Sequence, residues 1–108
     1  MAFVGRAKRV RLYLAESTRV GHQAAYVAIV ELLRKEGAHG ATVFRAIEGF
    51  GATGHVHVAH LVDVADVPVL LEWIDTAEEV TRLLPRVEAL LTHGFVTVDD
   101  TEIVLRKP

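Results

Sequence analysis

Three histidines that follow a glycine-rich segment have the spacing of metal ligands. His55, His57 and His60 form the pattern His-x-His-x-x-His, and the first two would share one face of an extended segment, within reach of one divalent ion. The sequence shows neither a fourth ligand nor groups that would orient the imidazoles, and three further histidines are scattered: His22, His39 and His93. The pattern predicts either a divalent-metal site or solvated loop histidines.

The glycines before these histidines could bind an anion. Gly49, Gly51 and Gly54 fall within six positions, and glycine tolerates positive φ and lets a ligand approach backbone N–H groups closely. Basic residues lie along or beside the predicted strands that would border such a site: Arg6, Lys8, Arg9, Arg11, Arg45, Arg106 and Lys107. The glycines lead into a hairpin and not a helix, so no Walker loop or dinucleotide fingerprint is present. A flexible hairpin with solubilising basic residues is the alternative.

Catalysis has little support in the sequence, and we expect a protein that is not an enzyme. The single serine, Ser17, lies in a polar connection without a nucleophile-elbow motif, and there is no cysteine. The carboxylate pairs Glu78-Glu79 and Asp99-Asp100 consist of adjacent residues, which point in different directions and do not converge on one substrate atom. We expect the first pair to begin a helix and the second to form a solvated turn.

Length and composition limit the function classes further. The 108 residues fit a single domain, residues 1–108, in which residues 1–7 could form a disordered tail. A formal charge of −2 gives no sign of nucleic-acid binding. Apolar runs such as Val67 to Leu71 are much shorter than the roughly 20 residues that span a bilayer, and the start does not resemble a signal peptide. We therefore expect a cytoplasmic protein that is not membrane-embedded.

Hydrophobic periodicity predicts an α+β fold. Period-two alternation indicates a first strand over 9–15, which is followed by a helix over 22–36 and a strand over 41–47. In the second half a short strand could lie over 61–64, and a stronger strand is predicted over 67–74. A helix then runs from Thr76 to about His93, with a kink or break at Pro85, and strand follows over 95–98 and 103–105. Two βαβ units in sequence predict the ferredoxin-like βαββαβ arrangement: a four-stranded antiparallel sheet with both helices on one face and a long hairpin between the halves.

That arrangement leaves one sheet face without helices. On the first strand the free face would carry Arg9, Arg11 and Tyr13. On the third long strand either face is apolar, since residues 69, 71 and 73 are Val, Leu and Trp and residues 70, 72 and 74 are Leu, Glu and Ile. Such a face implies a partner subunit, so we expect a homo-oligomer.

Three stretches resemble one bacterial family. Val10 to Glu16, the segment Arg-Ala-Ile-Glu-Gly-Phe-Gly from Arg45 to Gly51, and Leu70 to Asp75 resemble the domain-of-unknown-function family one-ninety, which is similar to the PII signal-transduction proteins. The resemblance runs from Lys8 over nearly the whole chain. It implies a homotrimer whose T-loop, here residues 51–60, changes shape with a small-molecule effector and docks on a target such as a transporter or an enzyme.

The resemblance also implies an adenine nucleotide in clefts between subunits. Gly49 and Gly51 match the cleft glycines, and the residues expected to bind ligand are Arg11, Arg45, Gly49, Phe50, Gly51, His93 and Gly94. The chain departs from PII proteins at Ala52, where a basic residue is typical, and over 91–96, where the glycine-rich turn with a lysine is missing. A nucleotide or anion other than ATP with magnesium is therefore expected.

Two other functions stay open at this point. One is a trimeric divalent-metal-binding protein like the CutA-type cation-tolerance proteins, with His55, His57 and His60 as ligands. The other is a purely structural assembly module that binds neither class of ligand.

Overall fold

The computed structural model describes residues 3–50, 56–58 and 67–108. In chain order the elements are β1 (Gly5–Ala15), a short hairpin of β2 (Arg19–Val20) and β3 (Gln23–Ala24), α1 (Ala25–Lys35), β4 (Thr42–Arg45), a second short hairpin of β5 (Glu48–Phe50) and β6 (Val56–Val58), β7 (Pro68–Asp75), α2 (Ala77–Leu90) and β8 (Phe95–Ile103). The strand predicted over 61–64 and most of the long hairpin lie outside the described residues.

The main sheet has the predicted ferredoxin-like topology. Its strand order is β4-β7-β1-β8, and every neighbouring pair is antiparallel. One core cluster contains residues of both helices together with Val10, Leu12 and Leu14 of β1, so both helices cover the same sheet face. The alternating residues of β1, predicted to separate two faces, do so, and the α+β prediction is confirmed.

The structure decides which face of β7 is buried. Val69, Leu71 and Trp73 lie in the core, where Leu71 and Trp73 are fully buried. Leu70, Glu72 and Ile74 are only half-buried and face the side without helices. The register places Leu71 opposite Leu12 and Trp73 opposite Val10, which brings the apolar residues of two strands under the helices.

Helix α1 is shorter than predicted. It begins at Ala25 and not at His22, because residues 19–24 form the β2–β3 hairpin, whose turn includes Gly21 at a φ of 61°. That hairpin was not predicted. The helix ends before Gly37, as expected, and Gly37 has a φ of 85°, which glycine adopts without strain.

Helix α2 begins as predicted but shows no break. Thr76 caps it by accepting a hydrogen bond from the Glu79 N–H at 3.1 Å, and Glu78 and Glu79 occupy its first turn. Of the kink or break predicted at Pro85, the break is wrong, since the helix runs continuously from Ala77 to Leu90. An interior proline removes its own N–H bond and its ring crowds the carbonyl group four residues earlier, but burial of Val80, Leu83 and Val87 holds both halves of the helix against the sheet.

Strand β8 also corrects the sequence analysis. It is continuous from Phe95 to Ile103, so the predicted interruption and solvated turn at Asp99-Asp100 are wrong. Asp99 lies opposite Arg9, and Asp100 lies opposite Lys8, each within an ion pair. These cross-strand pairs offset the low strand preference of aspartate.

The two ends of the sheet also differ slightly from expectation. β1 begins at Gly5, which lies opposite Ile103, so three residues of the segment 1–7 belong to the sheet. The second long strand, predicted over 41–47, is the shorter β4, and the chain then enters β5 at Glu48.

A buried carboxylate joins β7 to the start of α2 and to the connection after α1. Asp75 is fully buried. Its Oδ2 accepts hydrogen bonds from the His39 N–H at 3.0 Å and the Trp73 indole at 3.0 Å. Its Oδ1 accepts a hydrogen bond from the Thr76 N–H at 2.9 Å and lies 2.6 Å from the His39 Nδ1. Burial would raise the pKa of Asp75, but these hydrogen bonds outweigh it and hold the pKa below its ordinary value of 3.8. The charged form is therefore the native one.

Replacing this carboxylate tests its contribution. Asp75→Asn should lower the free energy of unfolding by roughly 1–3 kcal/mol at neutral pH, because its amide nitrogen replaces one of the two accepting oxygens and turns donors toward either the Trp73 indole or the Thr76 N–H. Because the pKa of Asp75 is lowered in the folded protein, its carboxylate stabilises the fold at pH values above its ordinary pKa of 3.8. This stabilisation is lost as the pH falls through the lower pKa of the folded protein. Urea unfolding from about pH 7 down to about pH 2 should show the two proteins converging in acid. A difference independent of pH would contradict this account.

Candidate functional site

The root of the long hairpin joins three separate parts of the chain. We use "hairpin root" for Glu16, residues 45–50, residues 56–58 and residues 67–68. The Glu16 N–H donates to the Val67 carbonyl oxygen at 2.9 Å, and the Ala46 N–H donates to the Pro68 carbonyl oxygen at 2.9 Å. The connection after β1 is thus bonded to the end of the hairpin, and the end of β4 is bonded to the start of β7.

Glycine at position 49 lets the hairpin approach β7. A methyl group on Gly49 would lie 3.1 Å from the Pro68 Cγ, closer than an ordinary van der Waals contact. Gly49 lies opposite His57 in the β5–β6 pairing, and the neighbouring Phe50 side chain is 71% exposed. Of the expected cleft residues, Gly49 and Phe50 are thus in the hairpin root, while Gly51 lies outside the described residues.

Both arginines expected to bind ligand already have carboxylate partners. The Arg45 Nε donates to the Glu16 Oε2 at 2.7 Å, and the Arg11 Nε donates to the Glu72 Oε2 at 3.1 Å. Arg45 belongs to the hairpin root, whereas Arg11 lies on the sheet face without helices. An anion that binds to either guanidinium would have to compete with a side chain of this protein.

The turn before β8 reaches the same end of the sheet as the hairpin root. Gly94 has a φ of 109°, and a methyl group there would overlap the Tyr13 carbonyl oxygen. His93 is exposed, and its Nδ1 lies 3.3 Å from the Thr92 Oγ1. Position 94 therefore has to be glycine, because a larger residue would overlap the backbone of β1. Of the two residues expected to bind ligand in this turn, only His93 has a side chain that could contact one.

The open sheet face is apolar at this end, where Phe44 and Phe95, which the sequence analysis did not single out, extend the apolar face predicted on β7. Tyr13 and Phe95 lie opposite each other with their rings stacked, 4.6 Å between centroids and 13° between planes. Phe44, opposite Leu70, is 49% exposed, and Phe95 is 58% exposed. The strand pattern could have indicated Phe95, but its stacking on Tyr13 depends on a register that periodicity does not give.

Farther along the same face the side chains are charged. Arg9 pairs with Asp99 across β1 and β8, and Arg11 pairs with Glu72 across β1 and β7. The hydrogen bond from Arg9 is the largest effect on the pKa of Asp99 and lowers it. The open face therefore has an aromatic end beside the hairpin root and a charged part beyond it.

The metal prediction falls mainly outside the described residues. His55 and His60 are in the undescribed segments, and only the backbone of His57, in β6, is described. Among residues 3–50, 56–58 and 67–108, no group of three or more histidine, cysteine or acidic side chains is arranged to hold a metal ion. The three-histidine site stays a prediction.

Neither α1 nor α2, the helices of the described ranges, combines the length and apolar character needed to cross a membrane.

A ferredoxin-like sheet with a long hairpin between its halves defines a PII-like fold, and the comparisons agree. The chain belongs to the family DUF190, described as "Uncharacterized ACR", whose sequence model matches residues 7–103. A UPF0166 protein of Aquifex aeolicus is 30% identical over 102 residues, 94% of this chain and 96% of that protein. A UPF0166 protein of Methanocaldococcus jannaschii is 29% identical over 99 residues, 91% of this chain and 92% of that protein.

Two solved structures share the fold. A PII-like signalling protein of Thermus thermophilus has a TM-score of 0.68 at 23% identity, with 95% of this chain and 94% of that chain covered. CPII of Thiomonas intermedia, a nitrogen regulatory PII-like protein bound to ADP, AMP and bicarbonate, has a TM-score of 0.65 at 21% identity, with 95% and 92% covered. The resemblance to PII-like DUF190 proteins is confirmed.

Substitution at Gly94 tests its role in the turn. Gly94→Ala should lower the free energy of unfolding by more than about 1 kcal/mol, because it combines a strained φ with overlap on the β1 backbone. Gly49→Ala is the matched control, since its φ is not in the left-handed region and its new methyl group meets only the edge of a proline ring. Urea unfolding of both variants gives the comparison. Equal losses would show that Gly94 is not specifically required.

Proposed function

We propose that this protein is a PII-like regulator that senses a small molecule, an adenine nucleotide or another anionic metabolite, at the hairpin root. The observation that carries the proposal is the hairpin root itself, which contains Arg45, Gly49 and the exposed Phe50, with the Gly94 turn at the same end of the sheet. No bond is made or broken in this function. Binding changes the loop over 51–60, which docks on a target protein such as a transporter or an enzyme.

The groups at the hairpin root suit the parts of a nucleotide. The Arg45 guanidinium can donate two parallel hydrogen bonds to a phosphate, and backbone N–H groups beside Gly49 can add others. Phe50 of the hairpin root is 71% exposed and offers ring surface on which a purine can stack, whereas Phe44 and Phe95 lie on the open sheet face. The bound ADP and AMP of the Thiomonas protein support the same ligand class for this chain.

Titration of ADP, AMP and adenosine tests the ligand. Wild type should bind ADP and AMP and bind adenosine more weakly, because adenosine lacks the phosphate that pairs with Arg45. Arg45→Gln should weaken ADP binding by at least about tenfold, the loss expected for a hydrogen bond to a charged group. Arg34→Gln, on the exposed side of α1, removes the same charge elsewhere and should have little effect. Calorimetry gives the affinities, and absence of ADP and AMP binding by wild type would refute this ligand class.

The proposed assembly is a homotrimer that buries the open sheet face. Phe44 and Phe95 are too exposed and too apolar for a face that stays in water, and cross-strand ion pairs beside them can add specificity. Three copies is the number that the resemblance to PII proteins implies. Burial of this face would also close the ligand cleft with residues of a second copy.

A charge on the apolar end of this face should prevent assembly. Phe95→Asp should convert a trimer to smaller species, because an aspartate buried against a second copy costs more than an exposed one. Val104→Asp is the control, since Val104 is 79% exposed beyond the end of β8 and away from the aromatic pair. Light scattering with size-exclusion chromatography measures the masses. A wild-type monomer, or a trimer unaffected by Phe95→Asp, would contradict the proposed interface.

A further inference from the structure

Glu16 holds both ends of the long hairpin. Its carboxylate accepts a hydrogen bond from Arg45, the last residue of β4, and its N–H donates to the carbonyl oxygen of Val67, the residue before β7. The hairpin leaves the sheet after Arg45 and returns at Val67. One residue therefore contacts the two points between which the hairpin is anchored, one through its side chain and the other through its backbone.

The two contacts differ in how easily another group can replace them. The ion pair is accessible to water, with the Arg45 side chain 45% exposed and the Glu16 side chain 27% exposed, and such exposed pairs contribute little to stability. The N–H contact is a backbone hydrogen bond of 2.9 Å and does not depend on the carboxylate. The side-chain contact can thus be exchanged for another anion while the backbone contact persists.

We propose that Glu16 is a built-in competitor for the anion site on Arg45. In the ligand-free protein its carboxylate accepts a hydrogen bond from the Arg45 Nε, and a phosphate of the ligand that binds along this edge of the guanidinium displaces it. A phosphate dianion brings more negative charge to the guanidinium than the Glu16 carboxylate does, whereas a singly charged carboxylate ligand only replaces one carboxylate by another. Glu16 therefore selects for phosphate-bearing ligands over singly charged anions.

Displacement also changes how the hairpin is held. When phosphate binds to Arg45, the start of the hairpin loses the hydrogen bond between Arg45 and the Glu16 carboxylate. The end of the hairpin keeps the hydrogen bond between the Glu16 N–H and the Val67 carbonyl oxygen. Beside Arg45, the backbone hydrogen bond from the Ala46 N–H to the Pro68 carbonyl oxygen remains. Ligand binding is thereby converted into loosening of one end of the hairpin. This inference rests on the proposed function, since it needs an anionic ligand at Arg45.

The test compares ADP binding by four proteins. Glu16→Gln should bind ADP about five-fold more tightly than wild type, because the competing charge is gone. Glu16→Asp keeps the charge on a shorter side chain that reaches Arg45 poorly, so its affinity should also rise. Glu88→Gln removes an exposed carboxylate of α2, which lies outside the hairpin root, and at physiological salt its affinity should stay within about two-fold of wild type. Acetate should bind weakly to all four.

The possible results separate the inference from the function on which it rests. ADP binding by wild type with no gain in Glu16→Gln would overturn the competition and leave the nucleotide function intact. An equal gain in Glu88→Gln would overturn it too, because the effect would then be general charge. Tighter ADP binding by Glu16→Gln than by both wild type and Glu88→Gln would support the competition. Binding of ADP by neither protein would refute the nucleotide and the competition together.

Amide hydrogen exchange provides a readout without ligand. Ligand-free Glu16→Gln should exchange the Ala46 amide several-fold faster than wild type, because the start of the hairpin is released. ADP should accelerate exchange at Ala46 in wild type and add little in Glu16→Gln, where the release has already happened. Equal exchange in the two ligand-free proteins would show that the ion pair does not hold the hairpin.

Discussion

The pairing of β1 with both of its neighbours is the constraint on which the other parts of the structure depend. β1 is bonded to β7 over 8–15 and to β8 over 5–13, so its alternation is imposed on both neighbouring strands. A slip of one residue would move every side chain of a strand to the other face. With the observed register, Val10, Leu12 and Leu14 lie under the helices, and the open face receives the residues between them.

The same register assembles the candidate site. Because β1 and β8 are antiparallel, the end of β1 meets the start of β8, where Tyr13 stacks on Phe95 and Gly94 packs on the Tyr13 backbone. Because β7 starts beside the end of β1, the return of the hairpin comes within reach of Glu16. Aromatic surface, a guanidinium and the hairpin root thus come to one end of the sheet through strand pairing alone.

Much of the fold could be predicted because it depends on local patterns. Alternation in β1, the helical stripe of α2 and the Thr76 cap each involve residues close in sequence. The errors have a common cause in contacts between distant residues. Asp99 and Asp100 indicate a turn by themselves, but Arg9 and Lys8 across the sheet make them strand residues. The shorter α1 is the exception and has a local cause, since the turn at Gly21 in the β2–β3 hairpin competes with a helical pattern that alone favoured an earlier start.

The sequence by itself determined the ferredoxin-like fold, the position of the long hairpin and the glycines at its root, because periodicity and turn residues are local properties. Only the tertiary structure decided which face of β7 is buried, since both of its faces are apolar and periodicity cannot choose between them. It also decided that Arg45 is already paired with a carboxylate. Glu16 and Arg45 are 29 residues apart, and only the pairing of β4, β7 and β1 brings them together.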